Sequence, residues 1–241
     1  MKLLPLFLSI LFSGALAAPG SGTLSKRSPE PVFNQTSGRF HTERDDTFAN
    51  ELHFTFTGTS LPSGLYASDY VVPDPSAPYN HVFTPANAYV SGGYLNLLVP
   101  GGQTTSPLSS GEVGTTVSNI FHASVRTVAI LTDVHGVCNG FFFYKDNQQE
   151  IDIEWLSDPT SLSNPGDGSR PLHFTNQDAN GDGQKTFTTV PVSTDVVSTE
   201  HEYRVDWTDG RVGFYFDGQL EWETSQDVPT VPGSWLWNNW A

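Results

Sequence analysis

The five residues from Glu150 to Glu154 alternate acidic and apolar side chains without interruption. Alternation with a period of two is typical of a β-strand, in which residues i, i+2 and i+4 share one face. Glu150, Asp152 and Glu154 are therefore predicted to project together, while the two isoleucines and Trp155 face a core. Because three acids on one face repel each other and add nothing to folding, the pattern indicates a chemical role.

Glycoside hydrolysis is the chemistry that fits this strand. A retaining glycosidase needs two carboxyl groups about 5–5.5 Å apart, one as nucleophile and one as acid/base. The Cα atoms of Glu150 and Glu154 should lie about 13 Å apart, and inward-leaning side chains could close that gap to roughly 5–6 Å. Asp152 could share a proton with one Glu and keep the two pKa values apart. The alternative, a surface strand with chance alignment of acids, is disfavoured by the apolar residues on both sides.

The sequence Glu-Ile-Asp-Ile-Glu, followed by an aromatic residue and Leu, resembles the active-site signature of glycoside hydrolase family 16. That family includes laminarinases, lichenases, xyloglucan endotransglycosylases and fungal cell-wall transglycosylases. The resemblance implies Glu150 as nucleophile, Asp152 as assisting acid and Glu154 as general acid/base. With one residue between Asp152 and Glu154, the motif is similar to the lichenase and transglycosylase branches.

Four further positions resemble substrate-contacting positions of the family. Arg126 matches an Arg that faces the cleft in relatives, although Ser124 stands where a lichenase carries Glu. Asn176 matches an Asn that points at sugar hydroxyls, and Asn238 with Trp240 resembles an Asn-x-Trp of the cleft floor. An aromatic face stacks on a pyranose, and an amide both donates to and accepts from hydroxyls. The alternative for these positions is a core aromatic residue and turn asparagines.

The N-terminal residues 1–18 are predicted to be a secretory signal, with one lysine, a short apolar run and a small-residue cleavage site. Lys26-Arg27 resembles a dibasic processing site, so 19–27 would be a pro-segment, unless the pair is an ordinary charged pair. Asn34 begins a glycosylation sequon. Residues 28–241 are expected to form one glycosidase domain, truncated at its C-terminus because relatives continue with another strand.

The charge and cysteine content limit the partners. A net charge of −15 with 11 Lys and Arg disfavours nucleic acid and anionic membranes, and suits a neutral polysaccharide substrate and a soluble, secreted monomer. Cys138 is the sole cysteine, so no intramolecular disulfide forms. Its place before an apolar strand predicts core packing.

About a dozen short strands separated by turns predict an all-β fold, a two-sheet antiparallel β-sandwich. The clearest stretch is a meander from Tyr203 to Trp222, with Asp-Gly turns at 209–210 and 217–218. Family resemblance independently implies a concanavalin A-like jelly roll, whose concave sheet forms a glycan cleft.

A metal or cofactor is not required by the predicted chemistry. Asp178, Asn180 and Asp182 match the first half of a calcium loop, but the closing Glu would fall at Thr189, so a polar turn is the preferred interpretation. The histidines have no metal-ligand spacing.

The sequence thus predicts a secreted, endo-acting, retaining hydrolase of β-1,3/1,4-glucans that works by double displacement. Two alternatives stay open at this point. A cell-wall transglycosylase of xyloglucan or chitin-glucan type would use the same acids with a sugar acceptor in place of water. A non-catalytic, lectin-like glycan-binding module would have no need of all three acids.

Overall fold

Two large β-sheets pack face to face, beside a two-stranded and a three-stranded one, in the computed structural model, which describes residues 6–10, 32–34, 39–42, 44 and 46–241. The described residues form no α-helix, and short 3₁₀ turns occur at Pro85–Asn87 and Thr194–Val197. The strands are β1 (Leu6–Ile10), β2 (Val32–Asn34), β3 (Arg39–His41), β4 (Thr47–Phe48), β5 (Asn50–Phe54), β6 (Leu65–Ala67), β7 (Tyr70–Val72), β8 (His81–Phe83), β9 (Ala88–Ser91), β10 (Tyr94–Leu97), β11 (Leu108–Thr115), β12 (Ala123–Ala129), β13 (Cys138–Tyr144), β14 (Glu150–Leu156), β15 (Leu172–Asn176), β16 (Thr186–Val190), β17 (His201–Thr208), β18 (Arg211–Phe216), β19 (Gln219–Thr224) and β20 (Ser234–Trp240).

The outer sheet has six strands in the order β19-β18-β17-β12-β1-β5. The predicted meander is confirmed as β17, β18 and β19, and both Asp217 and Gly218 adopt positive φ in the second turn. Such paired positive φ values suit a two-residue hairpin, because that turn twists in the same sense as the strands.

Strand β1 lies between β5 and β12 and pairs in parallel with both. It falls within the predicted signal, whose other residues, like the dibasic site at 26–27, lie outside the described residues. Cleavage of a signal after residue 18 would remove this strand from the sheet. Asn34 ends β2, and the rest of its sequon lies outside the described residues, so export, processing and glycosylation stay predictions.

The inner sheet has nine strands, in the order β16-β15-β14-β13-β20-β11-β8-β7, with β6 pairing the second half of β11. The acid strand β14 is central, antiparallel to β13 and β15. The long apolar run of β13 serves two faces, with Phe141 and Phe143 in the core and Phe142 and Tyr144 lining the cleft. The predicted antiparallel sandwich is confirmed, although β8 pairs in parallel with β11.

The core between the sheets is aromatic. Phe143 of the inner sheet packs on Trp207 of the outer sheet at 4.4 Å between ring centroids, and Phe174 stacks on Phe214 at 4.9 Å. Trp155, on the reverse face of the acid strand, is 2% exposed. Each such side chain contributes about 1.5–3 kcal/mol by burial, so the apolar half of β14 anchors the acidic half.

No helix in the described part of the chain combines the length and hydropathy needed to cross a membrane.

Candidate active site

The three acids of β14 lie on the concave face of the inner sheet, as predicted. Ile151 and Ile153 are at most 1% exposed and face the core, so Glu150, Asp152 and Glu154 point the opposite way. All three line a cleft of about 470 Å³. The strand alternation therefore converts one short sequence into a hydrophobic anchor on one side and a carboxylate stack on the other.

Burial raises the pKa of all three acids. The pKa of Asp152 is raised well above its ordinary value by desolvation and by the neighbouring Glu150 and Glu154 carboxylates. Desolvation also raises the pKa of Glu150, opposed by a hydrogen bond from Asp152. Since that bond lowers the pKa of Glu150 and raises that of Asp152, the proton resides on Asp152, which donates to Glu150. The hydrogen bond from Asp152 favours the ionised form of Glu150 in a site that otherwise disfavours charge.

Glu154 has a different environment. Desolvation raises its pKa, and a hydrogen bond from Cys138 and the charge of Lys185 lower it. The Sγ–Oε1 distance is 3.4 Å, and burial keeps the thiol neutral by raising its own pKa. Cys138 is buried as predicted, but the prediction of core packing is wrong. It occupies the cleft face of β13, because Asn139 and Phe141, with the opposite parity, line the core side.

Gln177 supplies another contact that the sequence did not indicate. Its Nε2 donates a hydrogen bond to Asp152 Oδ2 over 2.8 Å. Gln149, by contrast, bridges neighbouring loops through hydrogen bonds with Ala179 and Thr230. Asp152 is thus held from both sides, by Glu150 along its own strand and by Gln177 just after β15. This fixes the orientation of the middle acid.

Asn238 lies in the cleft as predicted. Its Nδ2 donates to Glu112 Oε2 over 3.1 Å, and its Oδ1 has no hydrogen-bond partner among the described residues. A Cβ placed at Gly140, which is directly opposite on β13, would lie 2.6 Å from that Oδ1. Glycine at position 140 therefore leaves the space that this buried, unpaired amide oxygen occupies in the cleft wall.

Glu112 is a cleft residue that sequence reasoning missed. It is 1% exposed and accepts hydrogen bonds from Ser68 Oγ at 2.6 Å and Tyr70 Oη at 2.8 Å, besides Asn238. Burial raises its pKa. A single acid between small and apolar residues of a predicted strand is the signal that could have identified it, since acids are seldom buried without a role.

Trp240 also lies in the cleft as predicted, with His81 stacked on its ring at 5.1 Å between centroids. Tyr70, Phe142 and Tyr144 complete an aromatic lining. Aromatic faces bind the apolar faces of pyranose rings, so this half of the cleft suits a sugar. No sequence signal separated these aromatics from those of the core, apart from the parity of Phe142 and Tyr144 on β13.

The expectation that Arg126 faces the cleft is wrong. Arg126 lies on β12 of the outer sheet, and its side chain is 2% exposed. Val125 and Thr127 face the core, where Thr127 accepts a hydrogen bond from Trp237 Nε1. Arg126 therefore points to the far side of the molecule, beside Arg204 on the paired strand.

Asn176 is also displaced from its expected role. It pairs with Ile151 on the core side of the sheet, is fully buried, and donates from Nδ2 to the Gln226 carbonyl at 2.9 Å. Its neighbour Thr175 pairs with Asp152 and occupies the cleft face. The expected Thr-Asn pair is present, but strand parity gives the cleft position to Thr175.

The loop that resembled a calcium site uses its oxygens internally. Asp178 Oδ2 accepts from the Gly183 amide, Asn180 Oδ1 from the Asp182 amide, and Asp182 Oδ1 from the Gln184 amide. Within the described residues, no group of three or more His, Cys, Asp or Glu could hold a metal. These contacts describe a polar turn, the preferred interpretation.

A second cavity, of about 430 Å³, lies at one end of the sandwich beneath the β9–β10 hairpin. Its lining is largely apolar and includes Leu95, Ile130, Phe141 and Trp237, but no carboxylate. The acid-lined cleft is therefore the candidate site for acid/base chemistry.

Comparisons with known proteins agree with this geometry. The sequence model of glycosyl hydrolases family 16 matches residues 77–233, more than half of the chain. A beta-glucanase of Bacillus subtilis is 30% identical over 110 residues, which are 44% of this chain and only 41% of that protein. The chain therefore belongs to glycosyl hydrolase family 16, and it spans less than half the length of the curated relatives it matches.

Solved structures share the fold. A Bacillus licheniformis beta-glucanase superposes with a TM-score of 0.56 and 21% identity, over 78% of this chain and 84% of that one. LamA of Z. galactanivorans, solved in complex with laminaritriose and laminaritetraose, superposes with a TM-score of 0.57 and 18% identity. The superposition covers 77% of this chain and 86% of that one. At these identities the likeness supports the fold, and the matched fold is the sandwich described above.

Proposed function

We propose that the chain is a secreted, endo-acting, retaining hydrolase of β-1,3/1,4-glucans. The observation that carries the proposal is the stack of three buried carboxyl groups on one strand of an aromatic-lined, open cleft. The beta-glucanase relatives and the laminarin oligosaccharides bound by LamA support a β-glucan as substrate. An open cleft, rather than a closed pocket, suits cleavage within a long chain.

The resemblance of the acid strand to the family signature implies the two roles. Glu154, whose pKa is raised by burial, keeps a proton to donate to the leaving glycosidic oxygen. Glu150 in its ionised form, which the hydrogen bond from Asp152 favours, attacks the anomeric carbon and forms a glycosyl ester. Once Glu150 has become a neutral ester, Glu154 removes a proton from water. The attacking water oxygen then releases the sugar with retained configuration.

Cleavage of defined glucans tests the proposal. Purified protein should release oligosaccharides of intermediate length from lichenan or laminarin, and Glu150→Gln should lower that rate at least about a thousandfold. Gln148→Glu serves as a matched surface substitution that should keep the rate within about twofold. No release from either glucan by folded wild-type protein would contradict the proposal.

Mass spectrometry of the same reactions separates hydrolysis from transfer. Hydrolysis yields only products shorter than the substrate, whereas transfer also yields longer ones. Predominantly longer products would favour the transglycosylase alternative, and tight glucan binding without turnover would favour the lectin-like one.

A further inference from the structure

A large aromatic side chain is exposed on the cleft face beyond the acid strand. Phe187 lies on β16, the edge strand of the inner sheet, and is 62% exposed. It pairs with Thr175 on β15, and Thr175 pairs with Asp152 on β14. Because directly paired residues of antiparallel strands share a face, Phe187 points to the same side as the catalytic acids.

Register places these three residues in one row across the sheet. Neighbouring strands are about 4.8 Å apart, so Phe187 lies roughly 10 Å from Asp152 in the sheet. A glucan that crosses the acid strand at right angles to the strands passes over Thr175 first and Phe187 second. Thr175 is 5% exposed, so β15 forms a floor and Phe187 a raised edge.

Lys185 completes this edge. Its Nζ lies 5.7 Å from the Phe187 ring centroid, and its charge acts on both Glu150 and Glu154. The Lys185 stem and the Phe187 ring thus form a surface that joins the acid-lined cleft to the edge of the sheet. An exposed aromatic ring beside a polar head is typical of surfaces that bind sugars, since rings stack on pyranoses and ammonium groups donate to hydroxyls.

The two sides of the acid strand differ in enclosure. On one side, Trp240, Asn238, Glu112 and the tyrosines of β7 and β13 enclose a cavity. On the other side, β15 and β16 present an open surface. A retaining enzyme must hold the covalently bound sugar while the leaving group departs and water enters. The enclosed side therefore suits the donor sugar, and the open side suits the leaving group.

We propose that Phe187, with Lys185, is a stacking platform for a glycosyl unit on the leaving-group side, the second from the cleaved bond. The ligand class is a neutral β-linked pyranose, as part of the substrate or as an incoming acceptor. This inference rests on the proposed function, because it assumes that a glucan is cleaved at Glu150 and Glu154.

A pair of substrates with the same donor portion tests the platform. One is a β-glucan oligosaccharide long enough to cover both sides of the acid strand. The other carries an activated aryl group in place of all leaving-group sugars, and so cannot reach β16. Phe187→Ala should lower kcat/KM on the oligosaccharide about three- to tenfold and leave the aryl glycoside unchanged. Phe187→Tyr should retain most of the rate on both.

Leu220→Ala is the matched control, since Leu220 is 46% exposed on β19 of the other sheet. It should leave both substrates unaffected. An equal loss on both substrates, or no loss on the oligosaccharide, would overturn the platform while the proposed function stands. Failure of the wild-type protein to cleave either substrate would overturn both.

Discussion

Two groups of buried charged residues, one on each sheet, stand on the faces that point away from the core. On the outer sheet, Asp206 is fully buried and accepts hydrogen bonds from Arg204 Nε at 2.8 Å and Ser124 Oγ at 2.6 Å. On the inner sheet, Asp152 is 5% exposed, is hydrogen-bonded to Glu150 and Gln177, and is affected by the charge of Glu154. One aspartate is paired with a cation, and the other lies among like charges.

The difference separates a structural site from a functional one. The outer group satisfies its charges, with Arg204 also lying 4.0 Å from the Tyr215 ring centroid, so it can be buried at moderate cost. In the inner group, the ionised forms of the acids are unfavourable, and the pKa values of Glu150, Asp152 and Glu154 are therefore raised. Ionisable groups that cost folding stability but titrate near the working pH are typical of acid/base catalytic sites.

The largest expected effect on stability comes from replacing the aspartate of each group by asparagine. Asp206→Asn should lower the free energy of unfolding by about 3 kcal/mol, because it leaves the buried Arg204 without its carboxylate. Asp152→Asn should instead raise it near neutral pH, because the folded state keeps Asp152 protonated where the unfolded chain ionises it, and the amide carries no such penalty. Urea denaturation of both variants measures this. Equal losses would show that the two sites are alike.

A second effect links stability to pH through Glu150. Its folded-state pKa is raised from 4.5 to about 7, so between these pH values the folded protein holds a proton that the unfolded chain has lost. Wild-type stability therefore falls as pH rises through this window, and Glu150→Gln cannot show that fall. The variant should match wild type near pH 4 and be more stable by about 1–3 kcal/mol near pH 7.

Thermal melts across that pH range measure the linkage, with Glu223→Gln as the control. The pKa of Glu223 is lowered by its hydrogen bonds to Arg211 and Arg44, so this control should lose stability above its pKa. A stability difference for Glu150→Gln that stays constant with pH would contradict the raised pKa.

The third effect concerns the rate. Wild-type activity should follow a bell-shaped pH profile, because Glu150 must be ionised and Glu154 protonated. Asp152→Asn should lower the maximal rate at least about tenfold and move one limb, because Glu150 loses the proton shared with Asp152. Steady-state rates against pH measure this. Full rate with both limbs in place would make Asp152 a bystander.

The smallest effect is expected at Cys138. Cys138→Ala removes the thiol that lowers the pKa of Glu154, so the alkaline limb should move to higher pH, with a rate change below about fivefold. Cys138→Ser keeps a donor and should restore the limb. If alanine and serine behave alike, the contact at 3.4 Å has no influence on Glu154.

Much of this site could be predicted from one short motif, because β-strand alternation is local. The period of two placed Glu150, Asp152 and Glu154 together without any knowledge of the neighbouring strands. The resemblance to a Thr-Asn pair of the family gave the cleft position to Asn176 instead of Thr175. A single step along a strand exchanges its two faces, and only the pairing of Ile151 with Asn176 decides between them.

Other features depend on the topology of the sheets and therefore could not be predicted from the sequence. The strand containing Arg126 was predicted, but the sheet to which it belongs follows from its pairing with β17. Strands β6, β7 and β8 are three residues each and gave no periodic signal, so Tyr70 and His81 were missed. Glu112 became a cleft residue only through the pairing of β11 with β20.

The central claim is that the acid strand supplies a covalent nucleophile, and trapping the glycosyl-enzyme tests it most directly. A 2-deoxy-2-fluoro glycoside of a β-glucan disaccharide with a good leaving group slows the second step more than the first, so the ester accumulates. Peptide mass spectrometry should then find one glycosyl adduct, on Glu150. An adduct on Glu154 or Asp152, or turnover without any adduct and with inverted first product, would contradict the account.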